Sequence, residues 1–441
     1  MALKENIKSL AHESWQLCWP MTLIMFYEFL VGMADVYVAG KIGRDVQAAY
    51  GLAFQIYFIF IIVGIAFSIG IVSVISRLFT DTEKRKEFGD AISTSLVITI
   101  AAGILFTVAG VFLAGWIINL CNVPSELKPY AAPLLRIYSL AFLFDYVLLS
   151  SNGILRSTGH IKKSLISMTV TCLLNIVLNF VLVFYTPLGV AGIGWATVIS
   201  LGTGALINLL FMKKLFTVSL AFSRDVLKKI MEISWPSGLL QAIWQLGAMM
   251  LFLIIAQLPR YNVETLAAFT NGLKIESAIF LPAFAFNMAN SVVVGNLLGK
   301  RDNNNAFLGG IITAIGGVIV VSCLTVIIMF NAKSIAGMLS ENQIVIRESI
   351  KYIYIALICE PILAWGIVLG GGLNGAGDTK SVMVITTIGV WCIRIPLSYL
   401  LGIKIGLGAI AIWWSMNLSV FFQSVMLTYR FYGKKWMKAV I

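Results

Sequence analysis

A chain of 441 residues with 59% hydrophobic and only 12% charged side chains has a mean hydropathy of +0.92, which excludes an ordinary soluble domain, where about a quarter of residues are charged. A membrane-crossing segment needs about 20 apolar residues and satisfies its backbone hydrogen bonds internally, so the composition predicts a polytopic helical membrane protein. The net charge of +12 invites a nucleic-acid partner, an idea that the placement of the basic residues removes.

Hydrophobic windows number about twelve, at approximately 15–38, 48–76, 90–113, 131–152, 164–185, 190–212, 233–257, 265–294, 306–330, 350–370, 381–403 and 408–430. The first is long enough to span and closes on no small-residue cleavage motif, so no cleavable signal peptide is expected. It opens Trp19-Pro20, ends Gly40-Lys41-Ile42-Gly43 and carries Glu28 and Asp35. Seven residues is close to two turns, so the two acids share a face. An ionised carboxylate at a helix centre costs roughly 2.5–3.5 kcal/mol on insertion scales. Asp35 is therefore expected either to sit in an interhelical hydrogen bond or to be a protonation or cation site lining a cavity. Glu28 is read as the acid met by a cationic substrate, or as half of an intraprotein ion pair.

In the fourth window Arg136 and Asp145 lie on different faces and are not expected to pair; Arg136 snorkels towards the surface. The joint Lys213 to Glu232 is the most basic loop, and the lobe boundary is placed near Ser223, giving lobes 1–222 and 223–441. Windows seven and eight carry Trp244, Met249, Met250, Phe280, Phe284, Phe286 and Met288, pliable side chains of the kind a promiscuous apolar cavity uses. Lys274 and Glu276 are read as charges pointing into the second lobe or its cleft. Glu360 and Arg394 are read as a structural ion pair. Glycines such as Gly64, Gly70, Gly309, Gly310 and Gly370 to Gly372 are expected at close helix contacts, and Pro282, Pro361 and Pro396 at kinks. The six cysteines are scattered singly and read as small core residues. His12 and His160 sit in polar flanks without the neighbours of a metal or catalytic site.

The second half echoes the first at an offset of 216 to 219. Trp19-Pro20 returns as Trp235-Pro236, Ala48-Ala49-Tyr50 as Ala267-Ala268-Phe269, Ala66-Phe67 as Ala285-Phe286, and Phe88 as Phe307. Gly153, Leu155, Gly159 and Lys162 return as Gly371, Leu373, Gly377 and Lys380, and Gly189 returns as Gly406. Each repeat holds six spans, an even number, so the second enters the membrane facing the same way. The halves are expected to be related by a pseudo-two-fold axis along the membrane normal, with a cleft between them.

Of the 32 Lys and Arg, about 21 fall on the even-sided loops and termini, about 8 on the opposite loops, and Arg136, Lys274 and Arg394 lie within spans. The positive-inside rule then places both termini in the cytoplasm. The basic charge is topological, and no nucleic-acid partner is expected.

Several pieces in fixed order resemble the multidrug and toxic compound extrusion (MATE) family: Asp35-Val-Tyr-Val-Ala-Gly40-Lys-Ile-Gly43, Leu155-Arg156-Ser157-Thr158-Gly159, Asn175-Ile-Val-Leu-Asn179, Gly189-Val-Ala-Gly192-Ile-Gly-Trp-Ala-Thr197 and Gly372-Leu-Asn-Gly375-Ala-Gly377-Asp378-Thr379. The resemblance covers nearly the whole chain and implies two six-helix lobes exporting organic cations or amphipathic compounds against a proton or sodium gradient. It implies cation handling at Asp35, Asn175, Thr197 and, more loosely, Tyr138. Asn179 departs from the branch that has an acid there, which puts a two-carboxylate proton relay in doubt. Where another branch has a helix-7 acid, this chain offers Trp244 or Gln245, and Glu360 lies about one turn from the expected helix-10 acid. A sodium site of that type in the second lobe is not expected.

Asn175 and Asn179 at i and i+4 project from one face, and with Asp35 and Thr197 they offer several oxygens to a cation, Na+ included. The alternative is helix-to-helix glue worth about 0.6 kcal/mol. Glu28, Gln245, Lys274, Glu276 and Met288 are assigned to the substrate cavity. The expectation is an all-α inner-membrane protein of twelve transmembrane helices in two pseudo-symmetric lobes. It is read as a monomeric secondary antiporter with H+ or Na+ as coupling ion, no organic cofactor and no enzymatic activity. A flippase for a lipid-linked or large amphipathic product is the alternative transporter. An intramembrane enzyme would need a nucleophile with a base or a histidine-rich metal cluster, against which two isolated histidines speak.

Overall fold

The computed structural model describes residues 2–121, 124–213, 215, 221–340 and 342–438; Lys214 of the basic joint lies outside them. The described chain is helical, without a β-strand. Its helices are α1 (Ala2–Ile42), α2 (Arg44–Thr80), α3 (Arg85–Leu120), α4 (Lys128–Ser157), α5 (Ile161–Phe184), α6 (Ala191–Met212), α7 (Arg224–Ala256), α8 (Asn262–Gly299), α9 (Asn303–Phe330), α10 (Ala332–Leu339), α11 (Gln343–Leu357), α12 (Glu360–Gly375), α13 (Thr379–Lys404) and α14 (Ala409–Tyr432). Among the described residues eleven helices are long and apolar enough to cross a membrane, and α11 with α12 forms a twelfth, broken span. The fold is that of a twelve-helix membrane protein with six helices to a lobe.

Proline accounts for the broken span. α11 and α12 meet at 51°, and Pro361 sits in the first turn of α12, preceded by Cys359 and Glu360. A proline there has no N–H to give back to the preceding turn, and its ring would collide with the carbonyl four residues earlier, so one continuous helix is not available. In α13 the backbone widens to π-helical turns at Ile388–Arg394 and Leu400–Lys404, on either side of Pro396. α8, by contrast, remains helical through Pro282.

By its contacts the chain divides into one unit of Leu23–Gly238 and another of Met1–Thr22 with Leu239–Ile441. The dividing points differ from 222/223 because α1 and α7 each serve both units. The first part of α1 belongs with the second half of the chain: Thr313 donates to Ser14 Oγ at 2.9 Å, and Trp15 lies against Phe286. The first part of α7 belongs with the first half, where Lys229 pairs with Glu87 at 2.7 Å. Pro20 and Pro236, repeat equivalents, fall just before the points at which each helix changes unit.

Within the Leu23–Gly238 unit, α4 is the central element, packed by α2, α3 and α6. Its core is aromatic: Tyr57 stacks on Phe142 at 4.8 Å, and Tyr138, Phe142 and Tyr146 are fully buried. In the other unit α8 and α12 pack together and α9 lies against both. Gly371 and Gly375, four residues apart on α12, face the backbone of Asn287 and Ser291 on α8 so closely that a Cβ on either would strike the α8 carbonyl. Small residues one turn apart let two backbones approach, and dispersion between them then holds membrane helices together. The approach brings Asn290 of α8 within reach of the Val368 carbonyl at 2.7 Å.

Cys18 and Cys172 are the buried cysteines, whereas Cys121, Cys323 and Cys392 are exposed, so the expectation of six core residues fails for those three. Cys323 and Cys392 lie on helix faces that the described residues leave uncovered, and Cys121 follows the end of α3.

Adding a methyl at Gly371 or Gly375 overpacks the α8–α12 contact, which typically costs about 1–3 kcal/mol. Gly371→Ala and Gly375→Ala are expected to lower the midpoint of thermal unfolding in detergent. Gly337→Ala, with nothing within 4 Å of the added carbon, should leave it unchanged or raise it.

Candidate functional site

Three sequence-distant helices converge on Asp35. Its carboxylate is 2% exposed, and Asn179 of α5 donates to Oδ1 at 2.6 Å. Tyr138 of α4 and Tyr50 of α2 place their hydroxyls 3.5 Å from Oδ2, at the outer limit of hydrogen bonding. The Asn179 contact is thus the strong one, a charge-assisted bond when Asp35 is ionised. No lysine or arginine pairs with Asp35 among the described residues.

Helical spacing builds the second layer. Asn175 stands one turn before Asn179, and its Oδ1 accepts from Asn179 Nδ2 at 3.0 Å. Asn175 Nδ2 in turn donates to Thr197 Oγ1 of α6 at 3.4 Å, and that hydroxyl donates to its own Ile193 carbonyl at 3.2 Å. Asp35, Asn175, Asn179, Thr197 and Tyr138, assigned from the sequence, therefore form one connected network. Tyr50 belongs with them and was missed. Its signal was an i, i+7 pair with Tyr57 on α2, hidden among many aromatics. Asn179 Oδ1 is buried without a hydrogen-bond partner.

The oxygens present test the fit to a bare metal cation. Asn175 Oδ1 is taken by Asn179, and Thr197 Oγ1 is engaged on both sides. Asn179 turns its amide N–H, not its oxygen, towards Asp35. A hard cation such as Na+ needs oxygen ligands, whereas this arrangement surrounds the carboxylate with N–H and O–H donors. Of the residues read as a Na+ set, Asn179 Oδ1 is the amide oxygen left unengaged, and the Asn175 and Thr197 oxygens are already hydrogen-bonded, so as arranged here the set fits a bare Na+ poorly.

Glu28 shares the Asp35 face of α1, as expected, but lies two turns away and is exposed. Its charged neighbours are Asp145 and Arg156 of α4. Asp145 accepts a 2.7 Å bond from Tyr57, and Arg136, exposed, does not pair with it. Beside Asp35 an apolar groove of about 440 Å³ runs between α1 and α2, lined by Phe29, Met33, Val36, Tyr50 and Phe54.

In the second unit a cavity of about 80 Å³ is lined by Trp244, Glu276, Phe280, Glu360, Arg394 and Asn417, with further apolar side chains. Of the residues assigned to a substrate cavity, Glu276 borders this one. Gln245 and Met288 are half-buried and Lys274 is exposed, and none of the three lines it. Tyr352 donates to Glu276 at 2.5 Å. The expected Glu360–Arg394 ion pair is not made. Arg394 instead donates from Nε to Ser419 at 3.3 Å and lies 5.1 Å from the Trp244 ring centre. It ends the π-helical turn of α13, where the widened backbone re-aims side chains, so the two charges border one cavity without contact.

A family model, MatE, matches residues 20–181 and 236–400, one segment in each repeat. The chain belongs to the MatE family. Probable multidrug resistance protein NorM of Thermotoga maritima is 25% identical over 453 aligned positions, covering 99% of this chain and 96% of the relative. The uncharacterized transporter YisQ of Bacillus subtilis is 22% identical, covering 96% and 94%. Among solved structures, an outward-facing multidrug resistance MATE family transporter of the MOP superfamily superposes with a TM-score of 0.90 at 19% identity, covering 97% of each chain. A MOP superfamily transporter from Pyrococcus furiosus superposes with a TM-score of 0.88 at 18% identity. This MatE protein is accordingly a multi-pass membrane transporter and not an enzyme.

The Asn179–Asp35 bond can be isolated by a double-mutant cycle. Hydrogen bonds to charged groups contribute about 1.5–3 kcal/mol. Asn179→Ala should destabilise the wild type by that amount more than it destabilises Asp35→Asn, measured by equilibrium unfolding in detergent. A coupling within about 0.5 kcal/mol of zero, the level of independent sites, would mean that the bond contributes nothing.

Proposed function

We propose that this protein is a secondary antiporter that exports small organic cations or amphipathic drugs in exchange for protons. It acts as a monomer in the plasma membrane with both termini in the cytoplasm. The reading rests on one observation: a buried carboxylate, Asp35, held by donors from α2, α4 and α5 and, among the described residues, by no cationic side chain. The relatives' multidrug names support the substrate class, and the loop distribution of Lys and Arg supports the orientation.

Coupling follows from the donor set. Ionised Asp35 accepts from Asn179, Tyr50 and Tyr138. A protonated Asp35 carries one donor of its own and needs an acceptor for it. A tyrosine hydroxyl can turn and accept, whereas the Asn179 amide must rotate to present its oxygen. Asn179 Oδ1, buried without a partner, is then satisfied by the proton on Asp35. Protonation thus rewrites the bonds between α1, α4 and α5, and a bond change shared by three helices biases which arrangement of those helices is stable.

Competition between proton and cationic cargo supplies the exchange. A carboxylate that must lose its proton before the cargo binds, or regain it before the cargo leaves, links the two movements without further machinery. Each proton exchanged adds about tenfold accumulation per pH unit, and a single proton against one monovalent cation would move no net charge.

Transport into everted vesicles tests the reading. With an imposed pH gradient the wild type should accumulate an organic cation, and an imposed sodium gradient should not replace it. Asp35→Asn should reach the membrane in normal amounts and lose at least about tenfold in coupled transport, the loss of one coupled proton per pH unit. Normal coupled transport by this variant would remove Asp35 from the mechanism.

A further inference from the structure

Three helices of the Leu23–Gly238 unit repeat their polar residues at a spacing of seven. α1 carries Glu28 and Asp35, α2 carries Tyr50 and Tyr57, and α4 carries Tyr138 and Asp145. Seven residues are two turns and about 10 Å of rise, so the polar groups form two tiers. One tier is Asp35 with Tyr50 and Tyr138. The other is Glu28 with Tyr57 and Asp145, in which Tyr57 donates to Asp145 Oδ2 at 2.7 Å. The tiers adjoin: the Tyr57 ring lies 5.4 Å from that of Tyr138.

The second tier has a composition that calls for a positive partner. It holds two carboxylates and one hydroxyl donor, and neither carboxylate makes a salt bridge among the described residues. Arg156, eleven residues beyond Asp145 on α4, is the cation that acts on Glu28. Its Nη2 donates to the neutral Ser68 hydroxyl at 3.3 Å, and its buried Nε has no hydrogen-bond partner. Tyr146, the other titratable neighbour of Asp145, donates to the Phe60 carbonyl at 2.6 Å. The remaining helices packed on α4 bring no charge to this depth. α6 has no titratable residue, those of α3 fall within Arg85–Asp90 at its start, and α5 has Lys162 and Lys163 at its start and then Cys172. Arg156 acts on Glu28 without a salt bridge, so two like charges adjoin with no bonded cation, and a proton on one of them relieves their repulsion.

We infer that Asp145 is a second proton-carrying carboxylate, positioned by Tyr57 beside Glu28, and that the transporter moves two protons per cycle. The inference rests on the proton reading of Asp35 and supplies the second acid that Asn179 withholds from α5. One proton leaves Asp145 when cationic cargo enters and returns when the cargo departs. The Tyr57 O–H bond to the ionised carboxylate turns away, or accepts, when Asp145 is protonated. Glu28, exposed where Asp145 is half-buried, is the carboxylate of the two that the described residues leave open.

The measurement is the steady-state gradient of a permanently charged monovalent cation, ethidium, in proteoliposomes of the full chain. The membrane potential is clamped at zero with potassium and valinomycin. Two protons per cycle give about a hundredfold accumulation per pH unit, and one gives about tenfold. The wild type is expected near a hundredfold, Asp145→Asn near tenfold, and Asp145→Glu near the wild type. Tyr57→Phe, which keeps the ring and removes the hydroxyl, should slow the approach to steady state without changing the final ratio. A tenfold wild type, or a hundredfold Asp145→Asn, overturns the second station and leaves Asp35 in place. A wild type driven by sodium and indifferent to pH overturns the proton reading itself, and the second station with it.

Discussion

A carboxylate inside a membrane must find all its hydrogen-bond partners in the protein, and the Asp35 site is arranged around that constraint. With no lysine or arginine pairing with it among the described residues, it draws its partners from α2, α4 and α5, which lie 15 to 144 residues away in sequence. The 2.6 Å bond from Asn179 ties the opening helix to the fifth. The Asn175–Thr197 link carries the tie onward to the sixth. An apolar residue at position 35 would leave these donors without a common acceptor, so the acid organises the unit even before any proton moves.

In the other unit the packing is shaped by where backbones can approach and where they must bend. Gly371 and Gly375 set the distance between α8 and α12 because any side chain there would meet a carbonyl. Pro361 sets the 51° break between α11 and α12, and the turns flanking Pro396 open α13 into a wider helix. Such π-helical turns re-aim side chains, and Arg394 at the end of one faces Trp244 and Ser419 rather than Glu360. Pro20 and Pro236 mark the places where α1 and α7 leave one unit for the other.

The repeated halves share a frame and differ in chemistry. At the offset of 219 that relates α2 to α8, Tyr50 corresponds to Phe269 and Tyr57 to Glu276. The first pair loses its hydroxyl and becomes part of an aromatic cluster with Tyr352 and Trp413. The second exchanges a donor for a carboxylate, bonded to Tyr352. Asp35 and Asn179 have no polar counterparts at the matching positions. Duplication thus preserved helix contacts, which depend on size, while the polar groups, which depend on specific partners, diverged.

The number of spans, their limits and the duplicated halves were all legible in the sequence, because hydrophobic length and a constant offset are local properties that any window of residues displays. Asp35, Asn175 and Asn179 were legible too, since an acid or a pair of amides in an apolar helix stands out against its neighbours, whereas Thr197 and Tyr138 came only from the family resemblance. Tyr50, Tyr57 and Asp145 were not: tyrosines are common in membrane helices, and their meaning lies in which hydroxyl reaches which carboxylate. The sequence also paired Glu360 with Arg394 by charge alone, whereas the widened turn of α13 sends the guanidinium elsewhere. What the chain determined by itself was which segments enter the membrane and which of them carry a costly charge. Only the tertiary structure decided the partners of those charges, because a hydrogen bond is fixed by distance and direction between helices, and no linear pattern encodes the rotation of one helix against another.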